Sequence, residues 1–129
     1  MTRTPFEIFI VEDDNDTADM LAEMVQLSGY RVRLYHGAQT VLAALRQHAP
    51  PSAMILDIMM PDISGLDVLR EIRGDARLRD LPVILLSAKS TPLEIEEGLK
   101  AGANLYLTKP VRFDEIRRAL EEVLANNTA

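Results

Sequence analysis

Apolar positions along this chain follow two rhythms, short unbroken runs and stripes spaced three and four residues apart. Residues 6–11 form the first run, rich in β-formers, and it stops abruptly at Glu12-Asp13-Asp14. A short apolar run bounded by polar or turn residues predicts a buried strand. Residues 15–28 then place Leu21, Met24, Val25 and Ser28 on one helical face, widened by Met20 and Leu27, with Gly29 as a C-terminal stop. Residues 31–35 alternate polar with apolar (Val32, Leu34), which suits an edge strand. After Gly37, a second helical stripe runs through Ala38, Val41, Leu42 and Leu45, and Pro50-Pro51 ends it.

The same alternation continues. Residues 53–56 are four apolar residues leading into Asp57, and Pro61, Asp62 and Gly65 follow within a short turn. Leu66, Leu69 and Ile72 line a third helix that stops near Gly74. Pro82 leads into the apolar run 83–86, closed by Ser87. Pro92 suits the first turn of a fourth helix, where Glu94, Glu96 and Glu97 favour its positive end. That helix has only Ile95 and Leu99 as an apolar stripe, and Gly98 weakens it, so loose packing is expected. Gly102 closes it, residues 104–107 predict the last strand, and Thr108-Lys109-Pro110 ends that strand. Phe113, Ile116, Leu120, Val123 and Leu124 make the last helix the strongest amphipathic signal.

Strand followed by helix, repeated, predicts an α/β fold: a parallel sheet covered by helices on both faces, joined by right-handed crossovers. The first, third and fourth strands are apolar on both sides and therefore central, while the second is an edge. The order 2-1-3-4-5 satisfies this, with the switch point between strands one and three.

Size and charge narrow the function classes. A chain of 129 residues with 47% hydrophobic and 26% charged residues fits one domain, taken as 1–129 with a core at about 6–125. A net charge of −6 argues against direct contact with nucleic acid. No apolar run is long enough for a membrane span. Residues 1–5 lack a signal-peptide core, so a cytoplasmic location is expected. With no cysteine there is neither a disulfide framework nor a thiolate metal site. The arginines at 70, 73, 77 and 79, and at 112, 117 and 118, are interleaved with acids and read as solvated helix faces. Asp14 reads as a cap for the first helix, Asp62 as a solvated loop acid, and Met60 as packing. His36 and His48 stand alone and are assigned no role.

Open parallel sheets do their chemistry at the C-terminal ends of their strands. Here those ends carry Glu12 and Asp13, Asp57, Ser87 and Lys109. Three carboxylates crowded together repel one another and call for positive charge, of which Lys109 supplies one unit. A hard divalent cation completes the balance, and Mg2+ favours a few carboxylates together with water and phosphate oxygens. The pattern predicts a site for a metal and a phosphoryl group.

Taken together, Val11-Glu12-Asp13-Asp14, Asp57-Ile58-Met59-Met60-Pro61 with Gly65, Ser87-Ala88-Lys89, and Tyr106-Leu107-Thr108-Lys109-Pro110 resemble the receiver domain of two-component response regulators. The resemblance spans about residues 6–125 and implies a flavodoxin-like (βα)5 fold. It implies that Asp57 accepts a phosphoryl group from the phosphohistidine of a sensor histidine kinase or a histidine phosphotransfer protein. Mg2+ would be held by Asp13, Asp57 and the main-chain carbonyl of Met59, with Glu12 acting through a water. Glu12 stands where many relatives have Asp, and Ser87 where Thr is more frequent. Lys109 would pair with Asp57 or its phosphoryl oxygens across a cis Lys109-Pro110 bond. Tyr106 would be the switch, turning inward as Ser87 moves, and helix 4, strand 5 and helix 5 would present the result to a downstream protein. Lys89 and Met59 would flank the phosphoryl group. Such a domain is a phosphorylation-driven switch that assists its own phosphorylation and dephosphorylation, rather than an enzyme.

Two positions depart from the pattern. Relatives that dimerise on DNA often carry an acidic pair where this chain has Asn104-Leu105, so a monomer or weak dimer is expected, with Leu105 as a candidate contact. Val111 replaces a common Phe, with only a packing consequence expected. Two other functions compete. A haloacid-dehalogenase-type phosphohydrolase needs a second Asp two residues after the nucleophile, and that position is Met59. A flavodoxin-like cofactor binder needs a phosphate loop after strand one, where Glu12-Asp13-Asp14 repels phosphate. The chain also reads as a receiver cut from a larger regulator or hybrid kinase.

Overall fold

The computed structural model describes residues 6–125, so residues 1–5, on which the expectation about a leader rests, lie outside the described residues. Five strands and five helices alternate as the apolar rhythm predicts: β1 (Glu7–Val11), α1 (Asn15–Leu27), β2 (Arg31–Tyr35), α2 (Ala38–Gln47), β3 (Ala53–Asp57), α3 (Gly65–Gly74), β4 (Val83–Ser87), α4 (Pro92–Lys100), β5 (Leu105–Thr108) and α5 (Phe113–Leu124). All strand pairs are parallel and the sheet order is β2-β1-β3-β4-β5. This is the predicted order.

Strand side chains alternate between the two faces, and each face builds its own core. Phe9, Val11, Met54, Leu56, Val83 and Leu85 join α2 and α3 on one side. Ile8, Ile10, Ala53, Ile55, Ile84 and Leu86 join α1 and α5 on the other. Val111 packs into that second core, the packing role expected of it. The register brings Val11 beside Leu56, Asp57 beside Leu86 and Ser87 beside Thr108. Residues just past these pairs therefore leave the sheet at a common level.

Several expectations need correction. On α1 only Ala18, Leu21 and Val25 are buried, while Met20 and Leu27 are exposed. One helix resting on the sheet covers a stripe narrower than the apolar set that was read from sequence. Arg73 is not a solvated face residue: its guanidinium donates to the carbonyls of Gly102 (2.9 Å), Arg79 (3.0 Å) and Leu81 (2.7 Å) and to Asn104 Oδ1 (3.0 Å). Arg77 likewise donates to the Leu45 and His48 carbonyls at the end of α2. Both arginines satisfy carbonyls that helix ends and loops leave unpaired.

The last strand begins at Leu105, one residue later than predicted, although Asn104 already donates its N–H to the Val83 carbonyl (2.9 Å) while its side chain accepts from the Val83 N–H (2.8 Å). Leu105 is half-buried, with part of its side chain packed against the α1–α5 core. The loose packing expected of α4 is present, since Gly98 is its one buried residue. Gly98 has a use of its own, however. A Cβ there would lie 2.8 Å from the Tyr106 ring and 2.9 Å from Leu85, so glycine lets α4 approach β5.

Candidate functional site

The site grows from the strand ends. Three apolar strands carry their last polar residues out of the core together, so Glu12, Asp57 and Ser87 are 1%, 3% and 0% exposed. Buried carboxylates need partners, and both have them. Lys109 Nζ donates to Glu12 Oε1 at 2.8 Å and to Asp57 Oδ2 at 3.3 Å. The remaining oxygens accept main-chain N–H groups, Glu12 Oε2 from Asp14 (3.2 Å) and Asp57 Oδ1 from Met59 (3.2 Å). The lysine thus leans on Glu12 more closely than on Asp57, with which sequence had paired it. The Lys109-Pro110 bond is cis, as the resemblance implied. Burial pulls the Lys109 ammonium down, but the Glu12 hydrogen bond and the Asp57 and Glu12 charges outweigh it and hold the group above its ordinary value.

Glu12, Asp13 and Asp57 each offer an oxygen, and these atoms lie within 4.8 Å of one another. Asp13 is the exposed member and has no hydrogen-bond or ion-pair partner among the described residues. Three carboxylates against one ammonium leave two negative charges, the deficit that a divalent cation fills. All of the donors are hard oxygens, so the set fits Mg2+. Ser87 ends β4 beside Lys109, whose N–H donates to the Ser87 carbonyl at 2.9 Å, and the Ser87 Oγ accepts from the Lys89 N–H at 3.1 Å. The Lys89 ammonium turns outward to Glu94, 3.9 Å away. Met59 is 57% exposed at the rim.

Gly65 fixes the floor beneath Asp57. A Cβ on it would fall 2.2 Å from the Asp57 carbonyl oxygen, and its N–H donates to Ile58 at 2.8 Å. Tyr106, the expected switch, is half-buried against the α2–α3 core, and its hydroxyl donates to the Lys89 carbonyl at 2.8 Å. The ring therefore stands beneath the segment that links Ser87 to α4.

Asp14 caps α1 as expected: its Oδ2 accepts from Thr17 Oγ1 (2.6 Å) and Thr17 N (2.9 Å), and these bonds hold its carboxyl below the ordinary value. Two residues do more than their sequence positions suggest. Asp62 is not a loosely solvated acid, for its oxygens accept from the N–H groups of Ala38 (3.2 Å) and Gln39 (3.1 Å) at the start of α2. The Gln39 bond, followed by the other main-chain bonds, holds its carboxyl below the ordinary value. His36 is not alone either. Its Nδ1 lies 3.0 Å from the Glu12 carbonyl, which can only accept, so Nδ1 carries the proton.

A family model described as the response regulator receiver domain matches residues 8–121. The chain belongs to the response regulator receiver domain family. It is a receiver of two-component signalling. Response regulator MprA of Mycobacterium tuberculosis is 38% identical over 117 residues, which are 91% of this chain and 50% of that protein. The chain spans about half the length of the curated relatives it matches. Among solved structures, the signal receiver domain of a signal transduction histidine kinase from Syntrophus aciditrophicus superposes with a TM-score of 0.87 at 28% identity, covering 95% of this receiver and 92% of that chain. The BeF3-activated DrrB receiver domain gives a TM-score of 0.84 at 27% identity, covering 95% and 99%. Among the described residues no helix is long and apolar enough to cross a membrane.

Proposed function

We propose that this receiver is a phosphorylation-driven switch whose acceptor is Asp57. The observation that carries the reading is a buried carboxylate held by a lysine and grouped with two further acids. An Asp57 oxygen attacks the phosphorus of a partner's phosphohistidine. The P–N bond breaks, its electron pair returns to the imidazole, and Asp57 becomes a mixed anhydride. The carboxylate needs no base, so what the site supplies is position and charge. Lys109, within 3.3 Å of Asp57, and the Ser87 hydroxyl meet the phosphoryl oxygens. Asp13, Asp57 and the Met59 carbonyl would hold Mg2+, with Glu12 behind a water. When bound, Mg2+ neutralises phosphoryl charge.

Readout passes through Tyr106. Movement of Ser87 toward a phosphoryl group draws on the 87–91 segment, whose Lys89 carbonyl already holds the Tyr106 hydroxyl. The α4–β5–α5 face then changes for a downstream protein partner. A Tyr106 ring that keeps one rotamer with and without beryllofluoride would break this coupling. The donor is a sensor histidine kinase or phosphotransfer protein, the setting is cytoplasmic, and the domain acts as a monomer or weak dimer. Because relatives such as MprA are about twice as long, the same site also fits the receiver unit of a larger regulator.

The decisive experiment incubates the protein with Mg2+ and acetyl phosphate and follows intact mass. One phosphoryl group is gained by the wild type and none by Asp57→Asn. Absence of any gain with Asp57 intact overturns the reading.

A further inference from the structure

Helix α2 starts without a cap of its own. Its N-cap is Gly37, which has no side chain to accept from the first turn. The acceptor comes instead from the β3–α3 loop, where Asp62 Oδ1 and Oδ2 take the N–H groups of Ala38 and Gln39. Four of the N–H groups at a helix start lack helical partners, and a carboxylate suits the positive end. The two positions are matched in space as well, because a Cβ on Gly37 would lie 3.3 Å from Asp62 Oδ2.

The loop gains as much as the helix does. Residues 59–64 are anchored at their ends, by the Met59 N–H on Asp57 Oδ1 and by the Gly65 N–H on the Ile58 carbonyl. Between those ends Ser64 caps α3, Met60 and Ile63 rest against the α2–α3 core, and, among the described residues, Asp62 makes the loop's hydrogen bonds to α2. We propose that Asp62 is a positioning residue, tethering the 59–64 loop to α2 so that the Met59 main-chain carbonyl stays where a divalent cation takes it. This rests on the functional reading above, which gives that carbonyl its role. The low-lying carboxyl of Asp62 keeps the tether charged at neutral pH.

The test separates the tether from the cap. In Asp62→Ala both are lost, whereas in Asp62→Ala with Gly37→Ser the helix regains a local cap but the loop remains untied. Gly37 has φ −164° and ψ 168°, extended backbone that serine adopts, and serine is a favoured N-cap. Mg2+ affinity is measured by calorimetry, thermal stability by Tm, and loop opening by hydrogen exchange at the Met59 and Gly65 amides without metal. Asp62→Ala is expected to weaken Mg2+ binding about tenfold, the low end for groups that support a ligand from behind. It also speeds exchange at both amides. The double variant is expected to recover Tm while Mg2+ binding stays weak and exchange stays fast. Asp67→Ala, which removes an exposed acid paired with Arg70 on α3, should change neither.

Mg2+ affinity that returns with Tm in the double variant overturns the proposal, as does an Asp62→Ala protein with wild-type affinity and exchange. A wild type that binds no Mg2+ overturns the functional reading and this assignment with it. That outcome differs from failure of the tether alone, in which the wild type binds and the variants bind equally.

Discussion

Helices α4 and α5 flank the same edge strand and are built in opposite ways. Helix α5 buries Ile116, Ala119, Leu120, Val123 and Leu124, which share a core with Leu105 and Leu107 of β5. Helix α4 buries only Gly98 and leaves Leu93 and Leu99 in solvent. Its start is well made, with a Thr91–Glu94 capping box and Pro92 in the first turn. So α4 is locally a good helix that is weakly attached, while α5 is fastened along its length. An element that keeps its internal structure but has few packing contacts can shift as a body at small cost, which suits the switch proposed for this face.

The largest expected effect breaks this asymmetry in stability. Leu120→Ala should cost about 2–5 kcal/mol, because a fully buried leucine leaves a cavity. Leu99→Ala should change stability by no more than about 0.5 kcal/mol. Urea unfolding of both variants checks the difference, and equal losses would mean that α4 is fastened after all.

Gly98→Ala sharpens the contrast. Its new methyl meets Tyr106 and Leu85, and overpacking of this kind costs about 1–3 kcal/mol, while alanine returns about 1 kcal/mol of helix propensity. The net expectation is a modest loss of stability with the Tyr106 ring displaced and its bond to Lys89 broken, visible in ring NMR shifts. An unmoved Tyr106 would show that α4 itself gives way.

The smallest effect concerns how each side is tied to the site. The α4 side hangs on a neutral hydrogen bond from Tyr106, whereas the loop entering α5 hangs on the Lys109 ammonium. A lysine held above its ordinary value stabilises the fold fully below pH 10.5, and loses that contribution as pH rises through the higher folded value. Thermal melts between neutral and alkaline pH should therefore fall further for wild type than for Lys109→Met. Parallel curves would remove the lysine from the stability of this side.

The sheet was legible because a buried parallel strand announces itself as an apolar run, and polar residues at the ends of such runs converge in space whatever lies between them. That is why Glu12, Asp13, Asp57 and Lys109, which the structure brings together, could be grouped from sequence. What stayed hidden has a common character. Asp62 bonds N–H groups 23 and 24 residues away, Arg77 bonds carbonyls 29 and 32 away, and His36 bonds the Glu12 carbonyl 24 away. In each case the partner is main chain, which every residue carries, so no partner residue type marks the contact. Gly98 misled for a related reason. Low propensity is visible in sequence, but a neighbouring ring that needs the missing Cβ is not.

Gly65 has a consequence for anyone who rebuilds this domain. A side chain at Gly65 would overlap the Asp57 carbonyl and the Ile58 α-carbon, so the first turn of α3 is packed directly against the peptide after Asp57. A loop graft between residues 58 and 64 can change length or chemistry only if it returns the chain to that same point of contact. The loop after Asp57 is thus a span between two close contacts, and a graft must keep its end-to-end distance as well as the Asp62 tie to α2.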